Sequence, residues 1–207
     1  MPQSEIGTLA QNTRDVYEQK AAAYDAQRSR ALFEARWLAR FTACLPAGGR
    51  VLDLGCGAGE PIARWFIAEG FRVTGVDIAG AMLDIARGRW PDGDWRQGDM
   101  RELDLGEAFD GIIAWDSFFH LRAQEQRTTI RRMARHLRVG GSLIFTVGPE
   151  DGERSGTFAG QPVYHASLSP AEYVALLEDQ GLRLTGFLAE DPDCDRHSVM
   201  MARKDRE

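Results

Sequence analysis

In the stretch VLDLGCGAGEP, residues 51–61, three glycines alternate behind an acidic residue and an apolar run, and a proline follows. Glycine tolerates positive φ and carries no Cβ, so Gly55, Gly57 and Gly59 can bring bare main chain against a ligand. A helix opening near Pro61 would aim its free N–H groups at the same loop, which favours a ligand with a carboxylate, a phosphate or another acceptor nearby. The spacing is G-x-G-x-G with Asp53 two residues ahead of it, whereas dinucleotide sites use G-x-G-x-x-G. The next marker is Asp77, which closes VTGVD; a carboxylate at that strand tip can accept both hydroxyls of a ribose. Asp53 carries two readings: it ties the loop down by accepting backbone N–H groups, or it reaches a ligand's amino group through water.

Such residues work only if strand tips present them together. RVLDLGC is a short apolar run that fits a buried parallel strand, and EPIARWFIAEG predicts a helix that stops at Gly70. FRVTGVD and AGAMLDIARGRW repeat the strand–helix pair; WRQGD and FDGIIAW add strands, QRTTIRRMARHLRVGG a helix, and SLIFTVG a fifth strand. Ahead of them, residues 12–44 predict helix in two segments. Asn12 caps the first, which places Tyr17 and Tyr24 two turns apart on one face; the second has an apolar stripe at Leu32, Ala35 and Ala39 beside Phe33, Trp37 and Phe41. Residues 148–168 are Gly-rich and polar, with one extra strand at QPVYHASLS. SPAEYVALLEDQG is a helix with Ser169 as cap, Pro170 at its first position and Glu172 completing a capping box. LRLTGFLAED and HSVMMARK finish the chain as a hairpin about DPDCDR. The alternation predicts a doubly wound, mostly parallel α/β sheet with helices on both faces and a C-terminal antiparallel hairpin.

Composition narrows the partners. A formal charge of −6 over 207 residues offers no phosphate-neutralising footprint, which argues against nucleic acid. MPQSEIGTLAQ has neither the basic nor the apolar region of a secretory leader, and no apolar run approaches a membrane span. Cys44, Cys56 and Cys194 are far apart and lack metal-ligand spacing, so no metal and a reducing cytoplasm are expected.

VLDLGCGAGE followed by VTGVDIAGAML resembles the class I, seven-stranded S-adenosylmethionine-dependent methyltransferases of small-molecule type. The resemblance covers residues 50–147 and extends to 207 through the terminal helix and hairpin. It implies one catalytic domain over 47–207, a helical lid over 1–46 and a substrate-side insertion at 148–168. It also implies S-adenosylmethionine as cofactor and a small-molecule methyl acceptor, in a monomer or homodimer. Within WRQGDMREL, Asp99 would accept from the adenine amino group and Met100 would lie by the ring; Ile78 and Met82 would cover adenine. Cys56 would meet the cofactor through its main chain, and FDGIIAWDSFFHL would put Ala114, Trp115 and Asp116 at the methionine end. Tyr17 and Tyr24 would sit on the lid, stacking on the sulfonium end of the cofactor or excluding water, with Tyr24 on the cofactor and Tyr17 on the substrate. Trp115, Phe118 and Phe119 could also hold the cationic sulfur by cation–π attraction. Methyl transfer needs alignment and exclusion of water, and a base only where the acceptor must shed a proton. His120, Tyr164 and His165 are the candidates for that role, with Phe119 on an aromatic rim that suits a planar or apolar acceptor. The W-D-S-F-F-H motif departs from the Asn/Asp-Pro-Pro-aromatic pattern of enzymes acting on planar amines, and so disfavours exocyclic amines. Competing readings are a catalytically silent cofactor-binding subunit, other chemistry on a modified cofactor, and an NAD-dependent oxidoreductase. The last would want the dinucleotide glycine spacing and a second mononucleotide half.

Overall fold

Strand β1 (Arg50–Leu54) has neighbours on both edges and helices over both faces, which is why RVLDL is apolar nearly throughout. A computed structural model, which describes residues 3–206, shows how the chain surrounds it; Met1, Pro2 and Glu207, the first two within the stretch read for a leader, lie outside the described residues. Helix α1 (Gln3–Gln27) and α2 (Ala35–Thr42) precede β1, and α3 (Ile62–Ala68), β2 (Arg72–Asp77), α4 (Gly80–Arg89), β3 (Asp94–Gln97) and β4 (Phe109–Ala114) follow it. Next come α5 (Ala123–His136), β5 (Leu137–Val147), β6 (Gly152–Phe158), β7 (Gln161–Ser167), α6 (Pro170–Asp179), β8 (Leu182–Asp191) and β9 (His197–Lys204). The sheet runs β3-β2-β1-β4-β5-β9-β8, with β9 antiparallel to both its neighbours. This is the doubly wound seven-stranded sheet expected from the sequence.

The period of two along each strand divides the core. Leu52, Ile112, Leu143 and Met200 face α5 and α6, whose Ile130, Met133, Tyr173 and Leu177 pack against them. Val51, Ile113, Ile144 and Val199 face the other way, onto α2 and α3. The order reverses between β1 and β4, so a crevice opens at the C-terminal tips of those two strands. Helix α1 lies over that end, with Thr13 accepting from Tyr164 N–H on β7 and Asp25 paired with Arg89 of α4. Among the described residues no helix is long and apolar enough to cross a membrane.

Several local expectations give way to packing. Asn12 is no cap: α1 begins nine residues earlier, and Asn12 is an exposed residue within it. The buried stripe of α2 is Trp37, Leu38 and Phe41, while Ala35 and Ala39 face solvent and Leu32 sits before the helix at φ 48°. The rings outcompete the alanines because they bury far more apolar area. Residues 148–168 hold two strands, not one; β6 and β7 pair as a separate antiparallel ribbon. Ser169 caps α6 by accepting from Glu172 N–H, but the Glu172 carboxylate takes Arg127 instead of closing the box.

Candidate active site

The glycine loop leaves β1 at the crevice and is pinned from β2. Gly55 N–H donates to Val76 O at 2.7 Å and Gly57 N–H to Asp77 Oδ2 at 2.8 Å. The other oxygen of Asp77 accepts from Ala79 N–H at 2.8 Å, so one carboxylate holds both the loop and the start of α4. Burial raises the Asp77 carboxyl above the ordinary carboxylate range even though these N–H groups pull it down. All three glycines have positive φ, of 74°, 53° and 79°. Their bare Cα atoms serve different ends. A Cβ on Gly55 would overlap Ser117 at 2.2 Å, and one on Gly59 would meet Trp90 at 2.8 Å. At Gly57 the nearest atom is Tyr24 Cε1 at 3.8 Å, so this residue alone of the three has room for a Cβ.

An open cleft of ≈ 850 Å³, its mouth included, lies over the loop. Of the residues chosen from the sequence, Tyr17, Tyr24, Gly55, Gly57, Asp77, Ile78, Met82, Asp99, Met100 and His120 line it. Asp99 is held by Arg101, whose backbone N–H it accepts at 2.9 Å as an Asx-type cap and whose guanidinium grips its oxygens. Burial acts to raise the Asp99 carboxyl, but Arg101 outweighs it and holds it below the usual range.

The other chosen residues stand off the cleft. Gly59 packs under Trp90 and Trp95, and the Cys56 side chain is buried beside them; burial, with Asp53 and Asp77 nearby, pushes its thiol well up. Trp115 turns its ring into the α2 face of the core, 5.6 Å from His197. Tyr164 is buried with its hydroxyl on Glu153, so only its main chain reaches the site. Phe119 meets His120 edge-on and His165 lies tilted against it, at 4.8 and 5.0 Å between ring centres. Asp53 lies buried under the loop, where desolvation and then the charge of Asp77 raise it to about 7. A carboxyl raised above its unfolded value stabilises the fold below the ordinary carboxylate range and loses that contribution as pH climbs through about 7. Asp53→Asn is therefore expected to make the ligand-free protein more stable at pH 8 by about 1–3 kcal/mol, with the gain vanishing near pH 4. Urea denaturation at the two pH values checks it, and equal stability of the two proteins at pH 8 would contradict it.

The ring of His120 has a determined tautomer. Nδ1 lies 2.7 Å from Tyr164 O, which can only accept, so Nδ1 carries the hydrogen. Burial, with His165 adding to it, lowers the His120 pKa to about 4, so the ring is neutral at pH 7 and Nε2 is an acceptor. Tyr17 fills it, donating from its hydroxyl at 3.0 Å. Tyr17 in turn stacks on Phe158 of β6 at 5.4 Å and meets Tyr24 edge-on at 5.6 Å.

Phe158, Ser117, Arg14 and His197 were not singled out from the sequence. Phe158 belongs to a strand that shows no apolar alternation, and Arg14 lines the cleft from a helix face that reads as solvated. His197 opens HSVMMARK just after the DPDCDR turn, and its Nε2 lies 2.7 Å from Asp116 Oδ1. Asp116 lines the cleft at φ 51°, its N–H held by Thr146 Oγ1. No three His, Cys, Asp or Glu side chains converge as a metal site among the described residues.

A 3-2-1-4-5-7-6 strand order, counted over the main sheet, with a glycine loop bridged to an acid at the second strand tip defines the class I methyltransferase fold. Residues 51–141 match the family described as "Methyltransferase domain", and the fold is that of the class I methyltransferases. The CcbJ methyltransferase from Streptomyces caelestis is similar at a TM-score of 0.73 and 22% identity, covering 91% of this chain and 97% of its own. CalS10, an amino pentose methyltransferase from Micromonospora echinaspora solved with S-adenosylmethionine bound, gives 0.69 and 22%, covering 90% and 96%. At such identities the likeness is one of fold. The Saccharopolyspora spinosa dTDP-4-amino-2,3,4,6-tetradeoxy-D-glucose N,N-dimethyltransferase is 38% identical over 102 residues, 48% of this chain and 41% of that protein. The chain spans about half or less of the length of the curated relatives it matches.

Proposed function

We propose that the protein transfers a methyl group from S-adenosylmethionine to a small-molecule acceptor, and that amino sugars are the first acceptor class to test. The observation that carries this is the single carboxylate of Asp77 bracing Gly57 and Ala79 beneath a cleft that is acidic at its floor and aromatic on its lid. The residues fit the cofactor's parts. Asp77 would accept from the ribose, Ile78 and Met82 would flank adenine, and Asp99 would accept from its amino group. The rings of Tyr17 and Tyr24 would face the sulfonium, whose positive charge they favour over water. The cofactor supplies an activated methyl group; the chain's work is to align the acceptor in line with it and to keep water out. Helix α1, with Thr13 tied to β7 and Asp25 to α4, is built to close over the cleft as a lid. The amino-sugar suggestion rests on the names of two similar proteins, one acting on an amino sugar and one on an amino pentose.

His120 takes the acceptor's proton at Nε2, directly or across the Tyr17 hydroxyl that occupies this nitrogen now. Being neutral above about pH 4, it stays competent throughout the neutral range. His120→Ala is expected to lower kcat by about 100-fold or more while S-adenosylhomocysteine binds with its affinity within about threefold. The acid limb of the wild-type rate profile should lie near the His120 value of about 4, below that of a free imidazole. Full turnover by the alanine variant would remove the role.

The reading as a whole is tested by calorimetric titration with S-adenosylhomocysteine and with NAD. It is followed by radiolabelled methyl transfer to an amino-sugar panel and a metabolite extract. Heat with NAD alone would replace it with a dehydrogenase, and binding without turnover across all acceptors would leave a cofactor-binding subunit.

A further inference from the structure

Asp116 does not look like a structural residue. It is a non-glycine residue in the left-handed region, where an L side chain costs on the order of 1 kcal/mol, and it stands at the tip of β4 in the wall of the cleft. What holds it there comes from the far end of the chain. His197, the first residue of β9, places Nδ1 2.8 Å from Cys194 O and Nε2 2.7 Å from Asp116 Oδ1. A backbone carbonyl and a carboxylate both accept, so each ring nitrogen must carry a hydrogen, and the ring is an imidazolium. Phe33 stacks on one side at 5.5 Å and Trp115 lies at 5.6 Å, which fixes the ring plane.

The second oxygen of Asp116 has a long ion pair as its contact among the described residues. Arg28, at the end of α1, comes only to 3.7 Å of Oδ2, because its Nη2 is taken by the buried Glu34. The Asp116 side chain keeps 22% of its surface. Its charge reaches the neighbouring phenols: burial first, and Asp116 next, push the Tyr24 hydroxyl up to about 12. A fixed carboxylate whose second oxygen has only a long ion pair and no hydrogen bond among the described residues, in a cleft that Asp77 and two tyrosines also line, suits a cation that can donate one.

We propose that His197 is a positioning residue: donating from both ring nitrogens, it holds the Asp116 carboxylate in its left-handed turn, so that Oδ2 receives an ammonium group bound in the cleft. This rests on the methyltransferase reading above. Two groups have that chemistry there, the amino-acid ammonium of the methyl donor and the amine of the acceptor. The charged groups around His197 agree with a held proton. Asp116 faces it from just past β4, Asp195 from its own turn, and Arg28 and Glu34 stand behind Asp116 and Cys194. Burial alone would lower its pKa, but the Asp116 ion pair outweighs it and brings it to about 9.

The test compares wild type, His197→Phe, His197→Gln and Asp116→Asn at pH 7.5, titrated with S-adenosylhomocysteine and with 5′-methylthioadenosine, which lacks the ammonium. The loss of one charge-assisted bond predicts weaker S-adenosylhomocysteine binding by about 10-fold to 100-fold in His197→Phe and Asp116→Asn. The affinity for 5′-methylthioadenosine should stay within about twofold, which also shows that the variants fold. His197→Gln, which restores one neutral donor, should recover part of the loss. If both ligands bind as in wild type but KM for a dTDP-4-amino sugar rises with kcat held, the ammonium is the acceptor's and the proposal stands with that source. Equal weakening of both ligands, or no change in any of the three measurements, overturns it. A second measurement is independent of binding. The His197 imidazole resonances should titrate near pH 9 in wild type and below the ordinary histidine value in Asp116→Asn, and an ordinary midpoint in wild type also overturns it. If wild type binds no S-adenosylhomocysteine at all, the functional reading fails instead.

Discussion

Gly55→Ala is expected to cost about 3–5 kcal/mol of stability, a large part of what a domain of this size has to spare. Its φ of 74° is the smaller reason, worth on the order of 1 kcal/mol for an L residue. The larger is that the new Cβ would lie 2.2 Å from Ser117 Cβ and 2.7 Å from Ser117 Oγ. Neither atom can step aside by a rotamer change. A Cβ is fixed to its backbone, and Ser117 Oγ is itself donating to Leu54 O at 2.7 Å across the same crevice. Relief therefore requires the β1 and β4 tips to move apart, which breaks the join between the two halves of the sheet where the cleft opens. Gly57→Ala supplies the control. Its φ of 53° carries a similar backbone cost, but the nearest atom is 3.8 Å away, so about 1 kcal/mol is expected together with impaired cofactor binding. Urea unfolding of the two variants separates the cases. Wild-type stability in Gly55→Ala would mean that the loop and the β4 tip do not pack as closely as described.

That contrast shows what the sequence could and could not reveal. The succession of strands was legible because strands buried on both faces must be largely apolar, and RVLDL, FDGIIA and SLIFTV are. The acid at Asp77 was legible because the end of a strand and a following helix start leave few places for a carboxylate to point. Which glycine has room beside it was not legible, because a missing Cβ looks the same whether it clears Ser117, Trp90 or empty space. Facing was lost in the same way beyond β4. In AWDS the alternation of the strand continues for one more residue, so Trp115 points into the core and Asp116 and Ser117 into the cleft. The β6–β7 ribbon escaped because its first strand is exposed along most of its length and shows no period of two. Its contribution, Phe158 against Tyr17 and Tyr24, depends on a contact between segments more than a hundred residues apart. The link from His197 to Asp116 spans 81 residues and has no local signature at all.

Asp77→Ala is expected to raise the dissociation constant for S-adenosylhomocysteine by about 100-fold or more, the equivalent of two charge-assisted hydrogen bonds of about 1.5–3 kcal/mol each, partly offset by water. Two losses combine. The ribose would lose its acceptor, and Gly57 N–H would lose the bond that sets the loop's height over the cleft. The effect on stability should be much smaller, because the substitution also removes a cost. Burial raises the Asp77 carboxyl above its unfolded value, so the group contributes stability in acid and loses it as pH rises through the folded pKa. At pH 8 the variant gives up two backbone acceptors but no longer buries a charge, and the balance should stay within about 2 kcal/mol of wild type. The choice of ligand separates this site from the one at Asp116. 5′-Methylthioadenosine keeps the ribose and lacks the ammonium, so it should weaken as much as S-adenosylhomocysteine in Asp77→Ala and hold its affinity in His197→Phe. Were both ligands to bind Asp77→Ala with wild-type affinity, the sugar would have to lie elsewhere, and the carboxylate would be only the brace for Gly57 and Ala79 that its hydrogen bonds describe.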